Sequence, residues 1–228
     1  MECWICGDEA STGEHLIKAS DLRSVFGKVS QRTPLYLSTD KARNQIVSGI
    51  GSDKLKYSAL LCARCNNERT QPYDRAWERL SAYLRSRDPP IRRGTIIRLD
   101  TVFPGCVRKS MLHVHLYFVK LFGCLIKQES IPIDLRPFSQ AIINGQPHPN
   151  VWLALWANKT HQPVRHVGQS QVETAQLYGQ IVYATWFYFV ERAAINVLYA
   201  EPTERRKGLV YAWHPTSVGK RIHVAHEA

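Results

Sequence analysis

Along residues 73–87 the apolar positions fall at Tyr73, Trp77, Leu80 and Leu84. Steps of three and four residues gather them on one face of a helix. Pro72 suits the first turn of that helix, Asp74 suits its positive end, and Pro89-Pro90 stop it. The pattern then changes, which places a boundary at 88–91. Beyond it, "TIIRLDTVF" (95–103) has the β-branched content of a strand. "CVRKSMLHVHLYFVKLFGCLIKQ" (106–128) spaces Val107, Met111, Val114, Phe118, Leu121 and Leu125 for a long helix, with Cys106 and Cys124 expected in its core. "RPFSQAIING" (136–145) predicts a shorter helix ended by Gly145. Four runs rich in β-branched and aromatic residues predict strands: 151–158, 180–190, 194–200 and 209–215. A polar loop, 158–176, separates the first two. Residues 1–70 carry little periodicity and read as loop-rich, with 27–58 as an insertion holding one short helix.

These elements predict an α+β protein in two parts. Residues 1–88 form a small unit, and residues 91–228 a helical layer on a largely antiparallel sheet. The chain opens without a secretory signal and has no apolar run of eighteen residues, so the expectation is a cytoplasmic protein with no membrane span.

Charge adds a partner class. Among 228 residues, 30 are Lys or Arg and 19 are Asp or Glu, a net charge of +11. Residues 1–90 contribute +3 and residues 91–228 contribute +8. Such a balance favours an anionic partner, nucleic acid above all, and places most of the basic surface in the second part.

Two cysteine pairs add chemistry. "CWIC" sets Cys3 and Cys6 three residues apart, and "CARC" does the same for Cys62 and Cys65. In a reducing compartment such pairs read as metal ligands before disulfides. Two tight turns can aim four sulfurs at one tetrahedral centre, so we expect one structural Zn2+ on Cys3, Cys6, Cys62 and Cys65. A staple of this kind suits a unit whose own apolar core is thin. Arg64 and Arg69 flank the second pair and are candidates for phosphate contact.

Glu14-His15 follows the first pair and Asn66-Asn67 follows the second. The order is Cys-x-x-Cys, an acidic residue plus His, Cys-x-x-Cys-Asn, then a helix. From its start to the helix that follows the second pair, the chain thereby resembles the zinc-containing branch of the HNH (ββα-metal) endonucleases. "EHLIKASDL" is also similar to the "DHIIP" segment common in that family. The resemblance implies a zinc-held frame with His15 as general base. It implies a catalytic Mg2+ or Mn2+ on Glu14 and Asn66, with Asn67 as substitute for Asn66. It implies DNA as partner, and a bacterial or phage setting such as genome defence. The residue types suit phosphodiester hydrolysis: neutral imidazole accepts a proton near pH 7, and a hard cation on oxygen ligands stabilises the leaving alkoxide. The second part would then supply DNA grip, substrate choice, dimerisation or regulation. The rival reading is a non-catalytic, zinc-stapled nucleic-acid-binding or regulatory protein.

Overall fold

A computed structural model describes residues 1–58, 61–157, 165–202 and 210–225. The periodic run becomes helix α2 (Gln71–Ser86), with Pro72 in its first turn and Tyr73, Trp77, Leu80 and Leu84 buried. A wider helical turn, Arg64–Arg69, leads into it from the second cysteine pair. The long apolar stripe becomes helix α4 (Val107–Glu129), buried almost all round from Val114 to Ile126. The two helices meet through Trp77, which stacks on Tyr117 and meets Phe118 edge-on. Helix α5 (Arg136–Asn144) ends at Gly145, whose φ of 61° is the left-handed conformation that glycine adopts without strain.

The sheet carries β3 (Ile96–Arg98), β4 (Val151–Ala157), β5 (Val167–Gln169), β6 (Glu173–Leu177), β7 (Gln180–Val190), β8 (Ala193–Ala200) and β9 (Arg221–Ala225). Its order is β3-β9-β4-β8-β7-β5, with β6 also on β7. All pairings are antiparallel except β4 with β9. The architecture is α+β with a mostly antiparallel sheet. Strand β8 is buried along its whole length. Trp186 of β7 stacks on Phe122, so one sheet face closes on α4. One hydrophobic cluster runs from Cys3 to Val224, so the textural change at 88–91 falls within a continuous core. Among the described residues no helix is long and apolar enough to cross a membrane.

Several local expectations are corrected. Of the run 209–215, the described residues 210–215 form no strand but turns, with a lone bridge from Trp213 to Leu153. His214 instead folds inward, where one ring nitrogen meets the His148 carbonyl at 3.0 Å. The sequence "HVAHEA" (223–228) reads as a tail, yet its first three residues belong to β9 (Arg221–Ala225), between β3 and β4. The stretch 95–103 is strand only at Ile96–Arg98 and then coils into a short helix, α3 (Leu99–Val102). The polar loop contains β5 and β6, while its residues 158–164 lie outside the described ones. Cys106 is exposed just ahead of α4 rather than in the core.

Residues 1–70 contain helix α1 (Ala19–Phe26) and the hairpin of β1 (Leu35–Leu37) with β2 (Gln45–Val47). Around this excursion the chain closes a short antiparallel ribbon. Thr12 faces Leu61 and His15 faces Lys56, with Tyr57 N–H donating to the Glu14 carbonyl at 2.7 Å. The N-terminal turn rests on α4, where the Trp4 indole covers Gly123. A Cβ at that position would lie 2.5 Å from the ring, so only glycine admits the contact.

Candidate functional site

The two cysteine pairs converge. The sulfurs of Cys3, Cys6, Cys62 and Cys65 all lie within 4.8 Å of one another. Cys6 Sγ and Cys62 Sγ are 3.6 Å apart. A tetrahedral ion with metal–sulfur bonds of about 2.3 Å spaces its sulfurs about 3.8 Å apart. The four cysteines could therefore hold a structural metal such as zinc. Two donors already face the sulfurs: Cys65 N–H to Cys62 Sγ at 3.4 Å and Arg69 Nη1 to Cys65 Sγ at 2.9 Å. Burial pushes the Cys6 thiol up to about 11 and raises Cys65 as well. At Cys62 burial acts the same way, but hydrogen bonds from Cys65 and the neighbouring thiols outweigh it and lower the group. A divalent cation would offset the cost of crowding thiolates here.

His15 sits on the ribbon, half-buried. Its Nε2 lies 3.2 Å from the Ile50 carbonyl, at the end of the excursion. A carbonyl only accepts, so Nε2 carries the proton and Nδ1 keeps its lone pair. Nδ1 has no hydrogen-bond partner among the described residues. Burial lowers the His15 pKa, against the Ile50 carbonyl and aided by Lys56, Lys18 and Arg23, so the ring is neutral at pH 7.

Glu14 turns towards α4. Only 6% of it is exposed, and its Oε1 lies 3.1 Å from Nζ of the fully buried Lys120. Lys120 also binds Asp74 at 2.8 Å, and Asp74 binds Lys18 at 2.9 Å. Burial raises the Glu14 pKa, with Lys120 opposing. For Lys120, burial acts downward, but Glu14 and Asp74 outweigh it and hold the ammonium charged.

Asn66 reaches back across the ribbon, its Nδ2 donating to Thr12 Oγ1 at 3.1 Å, two residues before Glu14. Thr70 Oγ1 donates to the Cys65 and Asn66 carbonyls and receives Lys120 Nζ at 3.4 Å. The cysteine turn, Asn66, Lys120 and Glu14 are thus linked through polar contacts. Asn67 and Arg64 are exposed, and Arg69 is half-buried against Cys65.

Sequence reasoning passed over Lys120, which hides inside an apolar helix pattern. Its signal was position: the one charged residue between Val114 and Ile126, where burial demands a partner. It also passed over Asp21, which is fully buried. Asp21 accepts from Trp77 Nε1 at 2.8 Å, Ser81 Oγ at 2.6 Å and Tyr188 OH at 3.1 Å, tying α1 to α2 and β7. His113 and His115 point apart: His113 meets Tyr73, whereas His115 is buried beside His214. The basic turn Arg205, Arg206 and Lys207, and the last residues 226–228, lie outside the described residues.

No family model matches the chain, and neither a curated protein nor a solved structure is found to match it.

Proposed function

We propose that the chain is an HNH-type, metal-dependent endonuclease acting on DNA phosphodiester bonds, with a structural zinc on Cys3, Cys6, Cys62 and Cys65. The observation that carries this reading is the fixed tautomer of His15. The Ile50 carbonyl holds Nε2–H, so the free nitrogen is the one that can take a proton from water. The ribbon bearing His15 leads through Cys62 and Cys65 into the helical turn bearing Asn66, and Asn66 contacts the ribbon in return. Glu14 Oε2 and Asn66 Oδ1 accept no hydrogen bond among the described residues, and both are oxygen donors of the type a hard cation takes. Mg2+ or Mn2+ held there would neutralise charge on the phosphate and its leaving oxygen. The residues fit such an ion in donor type; Glu14 would share its carboxylate between the ion and Lys120.

The test is plasmid nicking with Mg2+ or Mn2+. Removing a general base costs about 10²–10⁴-fold in rate. His15→Ala is therefore expected to lose at least about 100-fold while retaining its zinc. Equal nicking by both proteins would remove His15 from the chemistry.

A second reading, a non-catalytic zinc-stapled nucleic-acid-binding protein, is favoured by one observation: the buried ion pair of Glu14 with Lys120. An absence of nicking by the zinc-loaded wild type under either metal would select it.

A further inference from the structure

The ladder between β3 and β9 sets Arg98 directly opposite Arg221. Both are exposed, while their neighbours Ile97 and Ile222 face the core. Like charges directly opposite on one face of a ladder repel. Asp100 relieves Arg98 at 3.1 Å. Arg221 has no counter-ion among the described residues, and Lys220 beside it is exposed as well. A ladder that sets two arginines opposite each other in water can seat an anion against them, which lowers their mutual repulsion.

The cations continue beyond the ladder. Helix α3 follows Arg98 at once and packs on α2. Phe103, next after α3, lies under the Arg79 guanidinium at 5.7 Å. Arg75 is one turn from Arg79 on the same exposed side of α2. Arg108 and Lys109 are exposed in the first turn of α4. Helix α3 thus touches α2, α4 and β9, and these with the adjoining β3 carry Arg75, Arg79, Arg98, Arg108, Lys109 and Arg221.

We propose that this face binds the phosphate backbone of duplex DNA. It rests on the nucleic-acid part of the reading above and is independent of catalysis at His15. Charge complementarity selects the partner: the chain carries +11, and DNA places one negative charge about every 1.7 Å along its axis. Among the described residues the large aromatics exposed to solvent are Tyr36 and Tyr178, neither of which belongs to these elements. A single-strand grip relies on such rings for stacking, so backbone contact to a duplex is the better fit. The contact positions DNA without reading its sequence.

The test measures binding of the zinc-loaded protein to a fluorescent 25-base-pair duplex over a range of salt, without added Mg2+ or Mn2+. The variant R75Q/R108Q/K109Q/R221Q removes four cations that carry no ion pair among the described residues. Its salt slope is expected to fall by about 3–4, and its affinity in 0.1 M salt by at least about 50-fold, on duplexes of unrelated sequence alike. The variant K28Q/R32Q/K41Q/R43Q removes the same charge from exposed positions between α1 and β2 and is expected to keep most of the slope. Equal slopes for wild type and the first variant would overturn the proposal, as would equal losses in both variants. So would wild-type binding to anionic lipid vesicles or single strands in preference to the duplex. A wild type that binds with the expected slope but never nicks plasmid defeats the nuclease reading and leaves this face standing. One that nicks while the first variant keeps its slope does the reverse.

Discussion

The body of the molecule and its N-terminal part, residues 1–70, hold together by different means. In the body, β4, β7 and β8 are long strands whose inner faces close on an apolar helix, and β8 is buried throughout. In the N-terminal part both hairpin strands are short, and the ribbon consists of isolated bridges. Ile5, Leu22, Tyr57 and Leu61 join that part to the common apolar core, and to this it adds four sulfurs around one point and buried charges: Asp21 against Trp77, Ser81 and Tyr188, and Glu14 against Lys120. Apolar area tolerates small changes, because its contribution is spread over many contacts. Thiolate clamps and buried ions concentrate stability in a few atoms, and they fail when one is removed.

The sharpest way to break this comparison is Cys62→Ser. A structural zinc site contributes on the order of 10 kcal/mol, comparable with the whole stability of an ordinary domain. We expect metal content to fall to near zero and hydrogen exchange to rise across the N-terminal part, while α4 and β8 stay protected. Uniform loss of protection in both regions would show that the two share one cooperative unit.

Lys120→Met probes the buried charges. It strands Glu14 and Asp74 as carboxylates without their ammonium, and breaking a buried pair in this way costs about 3–5 kcal/mol. Adding Glu14→Gln is expected to restore part of the loss, which denaturant titration would read. A loss below about 1 kcal/mol would class the pair with surface salt bridges, contrary to its burial.

The body has a polar weakness of its own, which allows the smallest of the three tests. His115, His148 and His214 are buried together, and backbone N–H groups donate to His115 Nε2 and His148 Nδ1, fixing both rings as neutral. Burial, with His214 adding to it, lowers His148 to about 4. The unfolded chain therefore binds protons first. Stability is complete above the ordinary value near 6.5 and is lost as pH falls towards 4. Between pH 7.5 and 5, His148 alone accounts for about 2 kcal/mol. His148→Asn keeps an acceptor for the Asn150 N–H but cannot titrate, so its melting temperature should fall less over that range. Parallel curves for the two proteins would remove His148 from the acid response.

The same contrast explains what the sequence could be made to say. Helices α2, α4 and α5 were legible because Trp77, Phe118 and Ile142 repeat at helical spacing and helical spacing alone places them inside. Strand β9 was not, because "RIHVA" is five residues with one charge and a histidine, too short for alternation to stand out from a tail. The cysteine quartet was legible because metal geometry constrains spacing within each pair. The partner of Glu14 was not, because no local rule connects residue 14 to residue 120. Nor could His15 be assigned a tautomer from sequence, since Ile50 becomes its neighbour only once the excursion has folded back.

Trp4 bears on how the chain is made. Its indole rests on Gly123 and donates to Cys124 Sγ across a separation of 120 residues. During translation at about 5–20 residues per second, the N-terminus leaves the ribosome several seconds or more before its seat exists. The nascent turn is then an exposed tryptophan between two free thiols, open to oxidation or premature capture of a metal. The slower the chain is synthesised, the longer that turn waits for its seat.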